Sequence, residues 1–371
     1  MKNTIGSSVI LTVFGESHGP ATGVVLDGIA PGVEVNREEI EARLSRRRPA
    51  GLTDTARVEK DEFSILSGVY EGRTTGSPIA ISIPNTNVRS SDYPVGVARP
   101  SHSDYSAEMK YHGYEDLRGG GHFSGRVTVG VVAAGAICLK ALEYRNIHIA
   151  THILECAGVQ DDPFSRDEAL LRSQMELADS AAFPVISPVE DRMREAILAA
   201  KADGDSVGGR VQCCISGLPA GVGEPWFDSL ESVISRAMFA IGAVKGIEFG
   251  DGFALCSMRA SQANDPFAIR DGRVVTLSNR NGGINGGISN GMPLLFQLAV
   301  KPTPSISRPQ QTVDFRKGEE TTLELHGRHD PAILRRICPV VTAMASVVVC
   351  DMLAQRYGTD YLGPASPKGS M

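Results

Sequence analysis

Two segments of this sequence, Val129–Leu142 and Val340–Cys350, are apolar on nearly every face of the helix each would form. A helix without a polar stripe must be buried all round. Around these two runs a series of short segments reads as strands between Gly, Pro and Asn turns: Val9–Phe14, Ala21–Gly28, Phe63–Tyr70, Pro78–Ile83, Ile147–Glu155, Gly209–Gly217, Ile247–Gly250 and Pro293–Val300. Together they predict an α+β fold, an internally duplicated β-α-β sandwich with a central helical layer between antiparallel sheets.

The duplication is visible in the letters. Val24-Val-Leu-Asp-Gly-Ile-Ala-Pro-Gly-Val33 resembles Cys213-Cys-Ile-Ser-Gly-Leu-Pro-Ala-Gly-Val222, and Thr75-Gly-Ser-Pro-Ile-Ala-Ile81 resembles Asn290-Gly-Met-Pro-Leu-Leu-Phe296. The reading is of one domain over 1–371 with two related halves, about 1–150 and 205–356, whose ligand loops converge near a pseudo-twofold axis. Chance likeness of strand-turn patterns is the alternative.

Signals for helix starts are strong in places. Asn36 as N-cap, Glu39 completing a capping box and Val35 against Ile40 predict a helix over Arg37–Arg46, closed by Arg46-Arg47-Arg48-Pro49. Ser187-Pro-Val-Glu190 predicts another capped helix with Val189, Met193 and Ile197 on one face, and Asp228 with Glu231 predicts a cap for Ser229–Phe239. The last helix is expected over Ala332–Arg356. His148 and His152 fall on a half-exposed strand and are given no chemistry.

Composition narrows the function. A net charge of −6 and a pI near 5.8 argue against a nucleic-acid backbone as partner, so the arginines must serve locally. The seven cysteines show neither Cys-x-x-Cys nor zinc spacing and read as reduced thiols of a cytoplasmic protein, with no metal site. No unbroken apolar run reaches the ~18 residues of a membrane span.

The chemistry is carried by loops. In Leu117-Arg-Gly-Gly-Gly-His-Phe-Ser-Gly-Arg-Val-Thr128 a glycine triplet exposes successive N–H groups, Ser124 can cap the helix that follows, and Arg118, His122 and Arg126 add positive charge: an anion site is expected. A mobile turn is the alternative. His18, in Gly15-Glu-Ser-His-Gly-Pro20, and His102, in Arg99-Pro-Ser-His-Ser-Asp104, each sit at a turn that can reach a pocket, which makes the pair candidates for proton transfer. Arg46–Arg48 exceed what dipole matching needs, and a phosphate or carboxylate contact is favoured. Asn281–Gly291 is a second close-approach loop.

Taken in order, Phe14–Gly19, Arg46–Pro49, Arg99–Asp104, Arg118–Gly121, Gly282–Gly291, Lys301-Pro-Thr-Pro-Ser305 and Gly327-Arg-His-Asp-Pro331 resemble the motifs of the chorismate synthases, over nearly everything from Asn3 to Arg356. The resemblance implies a lyase that ends the shikimate pathway, eliminating phosphate from 5-enolpyruvylshikimate 3-phosphate in a 1,4-anti sense with reduced FMN. It implies His18 as proton donor to the departing phosphate, His102 as the donor that keeps reduced flavin neutral, and Asp330 as the residue that helps flavin N5 take the ring proton. Arg47, Arg48, Arg126 and Ser17 correspond to the substrate site. His122, Phe123, Ser124, Gly242, Ala243, Gly286, Lys301, Pro302, Thr303, Pro304, Ser305 and Arg328 correspond to the flavin site. It further implies a homotetramer, with NADPH used only if the chain reduces its own flavin and a separate flavin reductase otherwise. The sequence departs from the family in His122-Phe-Ser-Gly-Arg-Val-Thr128 for Arg-Ser-Ser-Ala-Arg-Glu-Thr, in Gly242-Ala243 for Asn-Ala, and in lacking an Arg around Thr53. Two other readings compete: an NAD(P)H-dependent flavin oxidoreductase and a non-enzymatic anion-binding module.

Overall fold

In the computed structural model, which describes residues 2–55, 60–86, 96–325 and 329–364, the two apolar segments become the helices α3 (Thr128–Glu143) and α8 (Leu334–Tyr357), numbered after α1 (Arg37–Arg47), α2 (Asp104–Tyr111), α4 (Glu168–Ser180), α5 (Glu190–Ala202), α6 (Leu230–Met238) and the short α7 (Ala260–Ala263). They pack against each other at the centre, with α3 lying on one five-stranded sheet and α8 on the other. Side-chain volume decides how close they come. A Cβ placed on Gly135 of α3 would sit 2.3 Å from Cβ of Ala343 on α8, and Ser346 Oγ donates across the gap to the Gly135 carbonyl at 3.2 Å. Fully burying each large side chain of such a core contributes about 1.5–3 kcal/mol.

Both sheets are antiparallel. The first runs Thr4–Ile5, Ile10–Gly15, Ala21–Asp27, Ile79–Pro84, Ser64–Ile65 in spatial order; the second runs Val244–Phe249, Leu294–Val300, Gly209–Ser216, His148–Cys156, Val159–Gln160. Each sheet follows one plan: two paired strands, a helix (α1 or α6), an edge strand, a strand inserted beside the second, then the core helix. The matching sequence segments occupy matching places. Gly28 and Gly217 end equivalent strands at φ 80° and 81°, Gly32 and Gly221 turn at 87° and 92°, and Gly76 and Gly291 at 85° and 88°. A buried carboxylate on α8 joins the halves: Asp351 Oδ1 accepts from the amides of Ser7, Ser8 and Val9 at 3.0, 2.7 and 2.9 Å.

By length and composition alone the segments Gly125–Glu143 and Leu334–Tyr357 are long and apolar enough to cross a membrane, but both are mostly or wholly buried inside the protein's own core. Several expectations are corrected. Phe63–Tyr70 is not one strand but two short ones, Ser64–Ile65 in the first sheet and Val69–Tyr70 in a separate hairpin, because Gly68 turns between them at φ 80°. Asn36 caps α1 as expected, accepting from the Glu38 and Glu39 amides, but Ser229 rather than Asp228 caps α6, and α5 starts at Glu190 without a side-chain cap.

His152 is fully buried, not half-exposed, because α4 covers the outer face of its strand while α8 covers the inner one. Its Nδ1 lies 3.0 Å from Asp161 Oδ2 and its Nε2 3.2 Å from Gln212 Oε1. Burial raises the Asp161 carboxyl, but hydrogen bonds from His152, Ser187 and the Ile186 and Ser187 amides outweigh it and hold the group at about 2. This interaction is present above the ordinary carboxylate value of 3.8 and is given up only as pH falls towards 2. The Ser187 hydroxyl donates to Asp161, and the position before α5 is taken by Val189, which has no side-chain oxygen to cap the helix.

Candidate active site

The glycine triplet takes a shape that side chains forbid. Gly119, Gly120 and Gly121 have φ of 62°, 83° and 52°, and a Cβ on Gly121 would lie 1.9 Å from the Asp116 carbonyl oxygen. Two hydrogen bonds clip the turn to the loop after the strand Ile10–Gly15: the Ser17 amide donates to the Gly121 carbonyl at 3.0 Å, and His122 Nδ1 donates to the Gly15 carbonyl at 2.7 Å. Ser124 then accepts from the Arg126 amide at 3.3 Å and caps the single turn Gly125–Val127 that leads into α3, as the sequence suggests.

Both candidate histidines pack against this turn, on adjacent glycines. A Cβ on Gly119 would meet His18 Nε2 at 2.5 Å, and one on Gly120 would stand 3.6 Å from His102 Cε1 and 3.8 Å from Ser124 Cβ. His102 Nδ1 lies between a cation and an anion, 3.0 Å from Arg99 Nη2 and 3.1 Å from Asp104 Oδ1. Burial raises the Asp104 carboxyl, yet the hydrogen bonds of Arg99 and His102 outweigh it and hold the group far below the usual carboxylate range. Asp104 thus remains an anion beside His102 at any pH near neutrality.

The three consecutive arginines go to different places. Arg46 donates to Asp179 and to the Ala178 carbonyl at the end of α4, away from the glycines. Arg47 is buried and donates to Thr128 Oγ1 at 3.2 Å, while its guanidinium and that of Arg48 each lie 3.4 Å from Asp61 Oδ2. Arg126 pairs with the other oxygen of the same carboxylate and donates to Asn85 Oδ1 at 3.2 Å. Asn85 in turn donates to the Glu16 and Gly19 carbonyls, both at 2.9 Å, and so ties the arginine cluster to the His18 turn. The end of α1 is fixed from below by α8: Arg335 donates to the Arg46 carbonyl at 3.0 Å and the Arg48 carbonyl at 2.5 Å, and Arg336 to the Arg47 carbonyl at 2.9 Å. Asp330 accepts from Arg336 at 2.5 Å and from the Thr55 amide at 3.0 Å, one residue removed from Arg47.

The second half reaches the same place through Lys301. Its Nζ donates to the Ser101 carbonyl at 2.6 Å, next to His102, and its amide donates to the carbonyl of Ala243, which is held at φ 74°. Beyond it, Pro302 packs over Gly208, the Thr303 carbonyl accepts from Ser206 Oγ at 2.7 Å and Ser305 is buried. Phe123 is 46% exposed and meets Tyr111 edge-on. Gly286 sits at the tip of the hairpin Ile284–Asn285/Ile288–Ser289, whose neighbours are Val222 and Leu230 rather than the histidines. Arg328 lies outside the described residues.

The family model for chorismate synthase matches residues 9–354. The chain belongs to the chorismate synthase family. The chorismate synthase of Thermococcus kodakarensis is 45% identical over 353 residues, covering 95% of this chain and 97% of that protein. That of Dehalococcoides mccartyi is 43% identical over 364 residues, covering 96% and 98%. A solved structure, "Crystal Structure of Chorismate Synthase", aligns with a TM-score of 0.76 at 28% identity over 96% of this chain and 94% of that one.

The motifs of the chorismate synthase family hold both His18 and His102, but the residues that hold the arginines escape sequence reading. Arg99 and Asp104 stand within a quoted motif and can be found from it. Asn85, Arg335 and Arg336 carry no local signal, and Asp61 looks like any other charge in Glu59-Lys60-Asp61-Glu62.

Proposed function

We propose that this chain catalyses the 1,4-anti elimination of phosphate from 5-enolpyruvylshikimate 3-phosphate to give chorismate, with reduced FMN. The observation that carries this reading is the packing of His18 and His102 on adjacent glycines, beside buried Arg47 and Arg126. In this reading Arg47, Arg48 and Arg126 bind the phosphate and carboxylate of the substrate, with Ser17 beside them. His18 delivers a proton to the phosphate oxygen as the C–O bond breaks. His102, oriented by Asp104, donates on the flavin side, and Asp330 handles the ring proton.

The residues fit a flavin. Two buried hydroxyl oxygens, Ser17 Oγ and Thr303 Oγ1, have no hydrogen-bond partner among the described residues. Ser124, Gly242, Ala243, Gly286 and Lys301–Ser305 would hold the group, together with His122, Phe123 and Arg328. When bound, reduced FMN supplies transient electron density that makes a poor phosphate leaving group depart. The protein contributes position and preset charge.

An assay of phosphate release under argon with chemically reduced FMN tests the function. Phosphate and chorismate should form in equal amounts while flavin is needed only catalytically, because the elimination is redox-neutral. Stoichiometric oxidation of the flavin, or no release at all, would contradict it. Anaerobic bleaching of FMN by NADPH would add an intrinsic reductase; without bleaching, a separate flavin reductase must supply the cofactor.

Self-association to a tetramer, in the cytoplasm, completes the proposal. The hairpin Phe267–Arg270/Arg273–Thr276 pairs Ile269 with Val274, so Phe267, Ile269 and Val274 share one face, and all three are at least 61% exposed. A lone two-stranded hairpin is marginally stable in water, and an apolar face of this kind suits a second copy. Ile269→Glu should lower the sedimenting mass. An unchanged mass would remove the hairpin from the interface.

A further inference from the structure

Asp61 belongs to none of the motifs, yet it is the residue on which the anion clamp is centred. Its side chain is fully buried, its backbone is at φ 51°, a region costly for a residue with a Cβ, and its two carboxylate oxygens meet Arg47, Arg48 and Arg126. Those arginines come from two places in the chain, the end of α1 and the turn before α3. Three guanidiniums repel one another, and a carboxylate among them offsets that repulsion, as an oxyanion in the same place would. Arg48 Nε is buried and makes no hydrogen bond among the described residues, although Asp61 Oδ2 lies 3.4 Å away. A donor left over in this way is available to an oxyanion.

We propose that Asp61 is a positioning residue of the substrate site: it stands in for the ligand's phosphate while the site is empty, keeps the three arginines preset, and competes with phosphate for them. The inference rests on the reading of Arg47, Arg48 and Arg126 as the anion site. Its two effects separate. Alignment of the arginines serves turnover. Repulsion between the carboxylate and a bound phosphate weakens ground-state binding, so that product phosphate leaves.

The test is calorimetry of inorganic phosphate on the full chain with FMN, set beside kcat, for the wild type, Asp61→Asn and Asp61→Glu. Asp61→Asn removes one negative charge with little change of shape. Phosphate should bind about ten-fold tighter, the effect of one partly screened charge, while kcat falls about ten-fold or more. A residue that merely supported the fold would lose both together. Phosphate binding that is weaker or unchanged in a folded Asp61→Asn protein overturns the proposal. Asp61→Glu keeps the charge and displaces it by a methylene, so phosphate affinity should stay within about three-fold while kcat drops, and an unaltered kcat overturns the proposal even if Asp61→Asn does not fold. Arg126→Gln separates the underlying reading: if it leaves phosphate affinity unchanged, the arginines are not the phosphate site, and both ideas fall together.

Discussion

Replacing His18 or His102 by alanine is expected to slow turnover by about 10²- to 10⁴-fold, the usual contribution of a positioned proton donor, with different spectral consequences. His102 is held by the Arg99–Asp104 pair, so its ring is oriented by a permanent ion pair rather than by the flavin. His102→Ala should therefore change the absorption of bound reduced FMN and its dependence on pH, because a nearby donor helps decide which protonation state the cofactor adopts. His18 stands on the arginine side, linked through its own turn and Asn85 to Arg126. His18→Ala should leave the flavin spectrum intact and show a rate deficit that widens as pH rises and solvent acid becomes scarce. Two folded variants that bind substrate and share one flavin spectrum across pH would refute this division of roles.

Arg335→Ala is expected to cost about 3–5 kcal/mol of stability, the usual penalty for stripping a partner from a buried ion pair. The guanidinium is buried, pairs with buried Asp54 and donates to the carbonyls of Arg46 and Arg48. Its loss leaves Asp54 with the Ala50 amide at 2.7 Å but without a compensating charge. For a chain of 371 residues the melting midpoint should fall by about 4–6 °C. Since the same side chain fixes the end of α1 that carries Arg47 and Arg48, phosphate affinity should weaken as well. A midpoint within about 2 °C of the wild type would show that the pair contributes little. Replacing both partners, as in Arg335→Met with Asp54→Asn, should recover part of the loss, because no uncompensated charge remains buried.

Much of this architecture is legible in one dimension. A helix apolar on all faces must be covered on all of them, and the recurrence of Gly28, Gly32 and Gly76 as Gly217, Gly221 and Gly291 marks equivalent positions before any coordinates exist. The His18 and His102 turns can be found because Gly and Pro punctuate them. What stays hidden is what crosses between elements. Arg46, Arg47 and Arg48 are neighbours in the chain, but successive helical side chains point about 100° apart, so one runs to Asp179 and the next into the clamp. Alternation around His152 reads as a half-wet strand because the pattern of a strand cannot announce the second helix layer laid over it. Asp61 has no local signal at all, since its meaning lies entirely in residues that fold brings to it.

The close crossing of Gly135 and Ala343 also bears on how this molecule is made. During synthesis α3 leaves the ribosome complete at Glu143, while α8 begins at Leu334, about 190 residues later. At about 5–20 residues per second that interval is roughly 10–40 s. Throughout it the face of α3 destined for α8 has no cover of its own, because a glycine-lined groove fits only the helix still to come. The first half can therefore complete its core only after the last helix has been made, which ties the folding of α3 to nearly the whole length of the chain.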